Sequence, residues 1–274
     1  IDRVADEAKA GKPFFLQISH YADHLQYQAL PETIDTYETE HKEKATPYQN
    51  SPLWAAMNEN LDTGVGMVLD KIDELGIADN TYVIYTADNG YESKVDQWKP
   101  VVERTFHKAY PLLSHKYMIN EGGLRVPFIV RGPNIPADVA SRTPVIGYDI
   151  FPTVMDIVGD GDKLPETVEG GSLLPLLQSG GEESVERKDP FFVFRYDKTG
   201  GAFDIAIVQD GYKLLKEINS DTLHLWNLNE DLGEQENLGD QQPDRVNQMY
   251  NTMSGYFERV GWDESQAVAF PWRG

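Results

Sequence analysis

Apolar positions along the chain fall into two patterns, which predict alternating strands and helices. Nearly continuous apolar runs at 14–19, 81–86 and 125–131 predict buried strands. Apolar residues at steps of three and four predict a long helix from Trp54 to Leu75 and a short one from Phe151 to Val158. Buried strands separated by helices are typical of an α/β layer with a mainly parallel sheet flanked by helices.

The pattern changes near residue 180, after which shorter apolar runs follow one another. Four strands are predicted, at 191–196, 204–208, 212–216 and 223–228. Asp210-Gly211 is a tight hairpin signal between the second and third of them. A last helix carries apolar residues at helical spacing, namely Val246, Met249, Met253, Phe257 and Val260. We therefore predict two domains: 1–183, part of the α/β domain, and 184–274, a small antiparallel sheet with one helix.

Composition narrows the class of protein. The 274 residues include 45 acidic and 24 basic side chains, for a net charge of −21, which argues against a nucleic-acid or anionic-membrane partner. The absence of cysteine excludes disulfides, thiolate metal sites and cysteine nucleophiles within the chain. Ile1, Val4, Ala5 and Ala8 repeat at helical spacing, so the sequence opens inside a helix. We expect it to be the later part of a longer protein.

Candidate chemistry follows the predicted strands. Asp88 and Asn89 close an apolar strand, and their carboxylate and amide oxygens suit a hard divalent cation. Lys116, 28 residues after Asp88, offers a positive charge for a bound anion. His20 and His24 follow the strand at 14–19. Because ligands collect outside the carboxyl ends of strands in open α/β sheets, the sequence predicts a metal-assisted anion site.

An ordered set of phrases resembles the second half of a type I sulfatase of the alkaline-phosphatase superfamily. The phrases are Lys12-Pro-Phe-Phe-Leu16, Tyr21-Ala-Asp-His24, Met57–Asp62, Asp88-Asn-Gly90, Lys116 with Glu121–Pro127, Asp149–Val154 and Leu225–Leu238. They cover nearly the whole chain. The resemblance implies the C-terminal part of an alkaline-phosphatase/sulfatase-like α/β fold, followed by a small antiparallel subdomain.

The resemblance also implies roles for single residues. Asp88 and Asn89 are expected to be two ligands of Ca²⁺, and Lys116 to bind the sulfate group. His24 is expected to contact the sulfate or to protonate the leaving alcohol. His20 competes with it for that role, or instead binds substrate or is a packed histidine. Phosphatases and phosphodiesterases of the superfamily usually carry histidine at the position of Asn89. Asparagine favours an all-oxygen calcium site, and hence sulfate.

Other residues are open to two interpretations. Trp98, His107 and His115 are candidates for binding sugar or carboxylate groups, or are ordinary loop residues. Arg125 is predicted to form a structural ion pair. We interpret Glu121-Gly-Gly as serving the backbone geometry and not catalysis, because glycine permits positive φ.

The chain departs from the family pattern in one large respect. The formylglycine nucleophile arises from a Cys/Ser-x-Pro-x-Arg motif in the first half of such proteins, which also supplies two more aspartates and a Lys/His pair. None of these is in this sequence. Smaller departures are Ser114-His115, where relatives carry glycines, and His24-Leu-Gln26 in place of a His-x-Pro phrase.

The resulting prediction is a sulfatase acting on a sulfated carbohydrate, completed by an N-terminal segment that carries the nucleophile. Such enzymes are usually periplasmic or extracellular. Two alternatives stay open: a phosphodiesterase or phosphonate hydrolase of the same superfamily, and a non-catalytic fragment that only binds.

Overall fold

A computed structural model describes residues 7–8, 10–24, 26–40, 51–91, 111–197, 203–217 and 220–262. Its helices are α1 (Pro31–Thr39), α2 (Pro52–Glu74), α3 (Glu121–Leu124), α4 (Ile150–Ile157), α5 (Leu174–Gln178) and α6 (Pro243–Arg259). Its strands are β1 (Val83–Thr86), β2 (Phe128–Arg131), β3 (Phe191–Asp197), β4 (Phe203–Gln209), β5 (Tyr212–Glu217) and β6 (Thr222–Asn227). Short 3₁₀ turns lie at Ala78–Asn80, Gly147–Asp149 and Gly161–Lys163. None of the helices within these ranges has the length and apolar character needed to cross a membrane.

Contacts group the chain into two compact units. The first comprises Ile1–Thr86 and Phe128–Val139, and the second Ala87–Pro127 and Ala140–Gly274. The predicted domain boundary between residues 183 and 184 stays a prediction.

The first unit is organised around α2. Ser51 caps this helix, since its Oγ accepts a hydrogen bond from Trp54 N at 3.2 Å, and Pro52 occupies the first turn, where no amide donor is needed. Gly76, at φ +67°, follows the helix end as the sequence indicates. Helix α1 packs against α2 through Asn60, whose Nδ2 donates to Thr33 Oγ1 at 3.0 Å. Helix α1 was not predicted from the sequence.

Strands β1 and β2 lie at the predicted places but pair antiparallel, from Val83 opposite Arg131 to Thr86 opposite Phe128. A parallel pair needs a crossover, usually a helix. The described part of the connection between β1 and β2, residues 87–91 and 111–127, holds only the four-residue α3. The pair therefore differs from the parallel arrangement predicted for the sheet.

The buried strand predicted at 14–19 is wrong for the described chain. The segment forms no strand, and Phe15, Leu16 and Ile18 are 76%, 43% and 53% exposed. A strand needs a hydrogen-bonded neighbour, and the segment has none among the described residues. The first helix predicted at residues 1–8 lies largely outside the described ranges.

The second unit contains the predicted antiparallel sheet, in the order β3-β4-β5-β6. Asp210 and Gly211 form the turn between β4 and β5 with φ values of +52° and +77°, as a tight hairpin requires. Alternate residues of each strand point to opposite faces.

One face of this sheet packs against α6. The buried cluster there consists of Ile205, Ile207, Leu214, Leu225, Val246, Met249, Met253 and Phe257. The opposite face carries a second cluster, made of Ala206, Leu215, Trp226 and Leu228 together with Ile119 from the loop before α3. The Lys116 segment is therefore anchored on the C-terminal sheet through Ile119.

Candidate active site

Asp88 and Asn89 lie in a bend of the chain that follows β1. Asp88 is exposed and Asn89 is half-buried. The Nδ2 of Asn89 donates to the carbonyl oxygen of Gly90 at 2.9 Å, which fixes the orientation of the amide. The other terminal atom, Oδ1, is the one that suits a hard cation.

The Lys116 loop is held against the Asp88–Asn89 loop by backbone contacts. Lys116 N donates to the carbonyl oxygen of Tyr91 at 2.7 Å. Its Nζ lies 5.5 Å from the centroid of the Tyr117 ring, within the range of a cation–π contact. Ser114 and Tyr117, on either side of His115-Lys116, have positive φ values of +68° and +74°. Such conformations are costly for residues other than glycine and persist only where their surroundings enforce them.

Three glycines allow the two loops to approach closely. Gly90 N donates to the carbonyl oxygen of Gly123 at 2.9 Å. A Cβ placed on Gly90 would lie 2.0 Å from the oxygen of Gly122, and one on Gly122 would lie 2.3 Å from the oxygen of Ser114. None of the three glycines adopts a positive φ. The backbone role predicted for Glu121-Gly-Gly is thus correct, but its cause is lack of space rather than positive φ. We call this contact the glycine junction (Gly90, Gly122, Gly123).

His115 is tied to the same loop. Its Nδ1 donates to the carbonyl oxygen of Lys116 at 2.6 Å, which places the ring proton on Nδ1 in the neutral form. A role for His115 in binding substrate stays a prediction. Trp98 and His107 lie outside the described residues.

His20 and His24 belong to the first unit, whereas Asp88, Asn89 and Lys116 belong to the second. Both histidines are exposed. The turn between them is anchored to α2, because Trp54 Nε1 donates to Asp23 Oδ2 at 2.7 Å. The roles of His20 and His24 stay predictions.

The donor set accounts for only part of a calcium site. Ca²⁺ takes six to eight oxygen ligands. Asp88 and Asn89 supply suitable oxygens, but no group of three or more metal-ligating side chains occurs within the described ranges. The pair therefore fits part of a calcium site that needs further ligands.

An ion cluster behind the Lys116 loop was not predicted. Lys213 Nζ, fully buried on β5, lies 3.0 Å from Glu121 Oε1 and 2.9 Å from Glu234 Oε1. Glu234 Oε2 accepts a hydrogen bond from Glu121 N at 2.8 Å. Burial raises the pKa of Glu234, and the positive charge of Lys213 opposes that rise. Arg125 Nε lies 2.6 Å from Glu121 Oε2, so the predicted ion pair of Arg125 is confirmed. The sequence signal for the cluster is a lysine inside the apolar run Tyr212–Lys216.

Comparison with known proteins identifies the family of this chain. The Sulfatase family matches residues 1–160, and the family described as N-sulphoglucosamine sulphohydrolase, C-terminal, matches residues 110–259. A protein named sulfatase from Formosa agariphila is 30% identical over 260 residues, which cover 86% of this chain and 43% of that protein. Mouse (Mus musculus) steryl-sulfatase is 36% identical over 143 residues, covering 50% of this chain and 21% of the relative.

Among solved structures, the chain is similar to one described as Ps i-CgsB in complex with k-i-k-neocarrahexaose. The TM-score is 0.74 at 23% identity, over 93% of this chain and 54% of that chain. This likeness confirms the predicted sulfatase-like fold. The chain belongs to the sulfatase family, and it spans about half or less of the length of these relatives.

Proposed function

We propose that the protein containing this chain hydrolyses sulfate esters of a sulfated carbohydrate, with calcium as its metal. The observation that carries the proposal is the glycine junction. Its backbone hydrogen bond from Gly90 N to Gly123 O joins the loop that carries Asp88 and Asn89 to the loop that carries Lys116. A paired oxygen donor set next to a lysine suits an anion held by a hard cation.

Each residue has one task in this proposal. Asp88 and Asn89 hold calcium, which supplies positive charge to the oxygens of the transferring group when it is bound. Lys116 binds the sulfate and stabilises the charge that develops on it. His24 donates the proton that the leaving alcohol needs.

The nucleophile of the proposal, a formylglycine, belongs to a preceding segment that also completes the calcium site. The apolar run 14–19 supports such a segment, because Phe15, Leu16 and Ile18 are exposed and none of the described residues pairs with this run as a strand. A strand added beside this run would satisfy its backbone and bury its side chains.

A carbohydrate is the substrate class that the comparisons favour. The match with steryl-sulfatase covers only half of this chain. By contrast, the similarity to the solved structure with a bound neocarrahexaose extends over 93% of this chain. The description of the family that matches residues 110–259 names an amino sugar, N-sulphoglucosamine. The proposal includes a periplasmic or extracellular location, as the resemblance to the family implies.

The test is to incubate the native protein with sulfated oligosaccharides and, separately, with bis-p-nitrophenyl phosphate, and to measure hydrolysis of each. We expect sulfate release that EGTA abolishes and Ca²⁺ restores, with little activity on the phosphate diester. Lys116→Met should lower kcat/KM by two orders of magnitude or more. The matched control is Lys163→Met, which removes a lysine that is 64% exposed and should leave the rate unchanged.

Two outcomes would overturn the proposal. Preferential cleavage of the phosphate diester with zinc would make the protein a phosphodiesterase. If the protein binds oligosaccharides without hydrolysing them while its calcium site is filled, it is a non-catalytic binding protein.

A further inference from the structure

We propose that Lys213 is a positioning residue, which fixes the Lys116 loop and the glycine junction from inside the C-terminal sheet. The role in catalysis rests on the proposed function. The positioning itself is a property of the fold and is measured separately.

The strand geometry explains why Lys213 reaches this loop. On β5, Leu214 and Lys216 face α6, whereas Lys213 and Leu215 face the opposite side, where Ile119 packs. The fully buried Nζ of Lys213 lies between two carboxylates, 3.0 Å from Glu121 and 2.9 Å from Glu234. One cation from the sheet therefore joins two different loops.

The connection continues directly into the candidate site. Glu121 begins α3, and the next two residues are Gly122 and Gly123 of the glycine junction. Gly122 N donates to Leu113 O at 2.8 Å, and Gly123 O accepts from Gly90 N at 2.9 Å. A shift of Glu121 is thus transmitted through covalent neighbours and two backbone hydrogen bonds to both loops of the site.

Stability alone does not account for this cluster. Buried ion pairs often add little to stability, because desolvation offsets the attraction between the charges. The residues opposite Lys213 on the two neighbouring strands, Val208 and Trp226, are apolar. An ion pair differs from apolar packing in being directional, since it specifies one position of Glu121 relative to β5.

The experiment compares Lys213→Met and Lys213→Arg with a matched control, Lys216→Met. Lys216 is also a buried lysine of β5, but it contacts Tyr250 of α6 and Asp221 on the other face. Amide hydrogen exchange at Gly90 and Gly122 reports on the junction, and amides of β4 and β5 report on the sheet. Calcium affinity and kcat/KM are measured on the same native protein.

For Lys213→Met we expect exchange at Gly90 and Gly122 to rise about tenfold relative to the sheet amides. Calcium affinity should fall by a similar factor, the lower end of the loss typical for groups that orient ligands. Lys213→Arg, which keeps the charge, should restore part of both. Lys216→Met should leave unchanged the ratio of the exchange rate at Gly90 and Gly122 to the exchange rate of the sheet amides.

A folded Lys213→Met protein with an unchanged exchange ratio would overturn the proposal. If Lys213→Met does not fold, Lys213→Gln gives the same test, because it also removes the charge of this side chain while it keeps a polar group beside the two carboxylates. A native protein without sulfatase activity would refute the proposed function, but the exchange ratio would still decide the role of Lys213.

Discussion

Substitution of Gly90 by alanine tests whether the glycine junction holds the site together. The added Cβ would lie 2.0 Å from Gly122 O, and an ordinary contact needs at least 3.4 Å. The two loops must therefore separate by about 1.4 Å, because the obstructing atoms belong to the backbone and cannot rotate away.

The expected cost follows from this geometry. Overpacking costs about 1–3 kcal/mol, and loss of the hydrogen bond from Gly90 N to Gly123 O adds about 0.5–1.5 kcal/mol. We therefore expect Gly90→Ala to lower the free energy of unfolding by roughly 1.5–4.5 kcal/mol. A displacement of about 1 Å can cost about a hundredfold in rate, so kcat/KM should fall by that order.

Urea unfolding and sulfate-release kinetics on the native protein provide the measurements. Gly66→Ala is the matched control, since a Cβ on Gly66 in α2 has nothing within 4 Å. In a helix, that change should stabilise by about 0.5–1 kcal/mol. A Gly90→Ala protein with unaltered stability and full activity would refute the reasoning.

Three further predictions concern the second unit. Burial raises the pKa of Glu234 above its usual value of 4.5. At a pH just above 4.5, the Glu234 carboxyl is therefore protonated in the folded chain and ionised in the unfolded chain. The difference in unfolding free energy between wild type and Glu234→Gln should fall as pH rises through this window, and a flat difference would contradict it. Ser114→Gly should stabilise by about 0.5–1 kcal/mol in urea unfolding by relieving the positive φ, whereas a loss would show that the hydroxyl matters more. Met253→Ala, at a fully buried position, should cost about 2–5 kcal/mol, and a cost below 1 kcal/mol would mean that the core closes over the cavity.

The C-terminal sheet was predictable because its pattern is local. Short apolar runs and the turn signal Asp210-Gly211 placed all four strands within about one residue at each end. Helix α6 was equally clear, since Val246, Met249, Met253 and Phe257 repeat at helical spacing and all four are buried.

Features that depend on distant partners were not predictable. Phe15 and its neighbours are apolar enough for a buried strand, but a strand exists only when another pairs with it. The partners of Lys213 are 92 residues before it and 21 residues after it, and no local pattern relates them. Among the candidate site residues, the sequence indicated Asp88, Asn89 and Lys116, but not the spatial reason for Gly90.

The two-residue turn at Asp210–Gly211 has a consequence for how insertions and deletions act on this protein. Adding or removing one residue there would invert the facing of every side chain on β5. Lys213 would then point into the methionines of α6, and Leu214 would meet the carboxylates of Glu121 and Glu234. A change of length in a surface turn would thus exchange the charged and apolar sides of the strand, while each residue of the strand itself stayed the same.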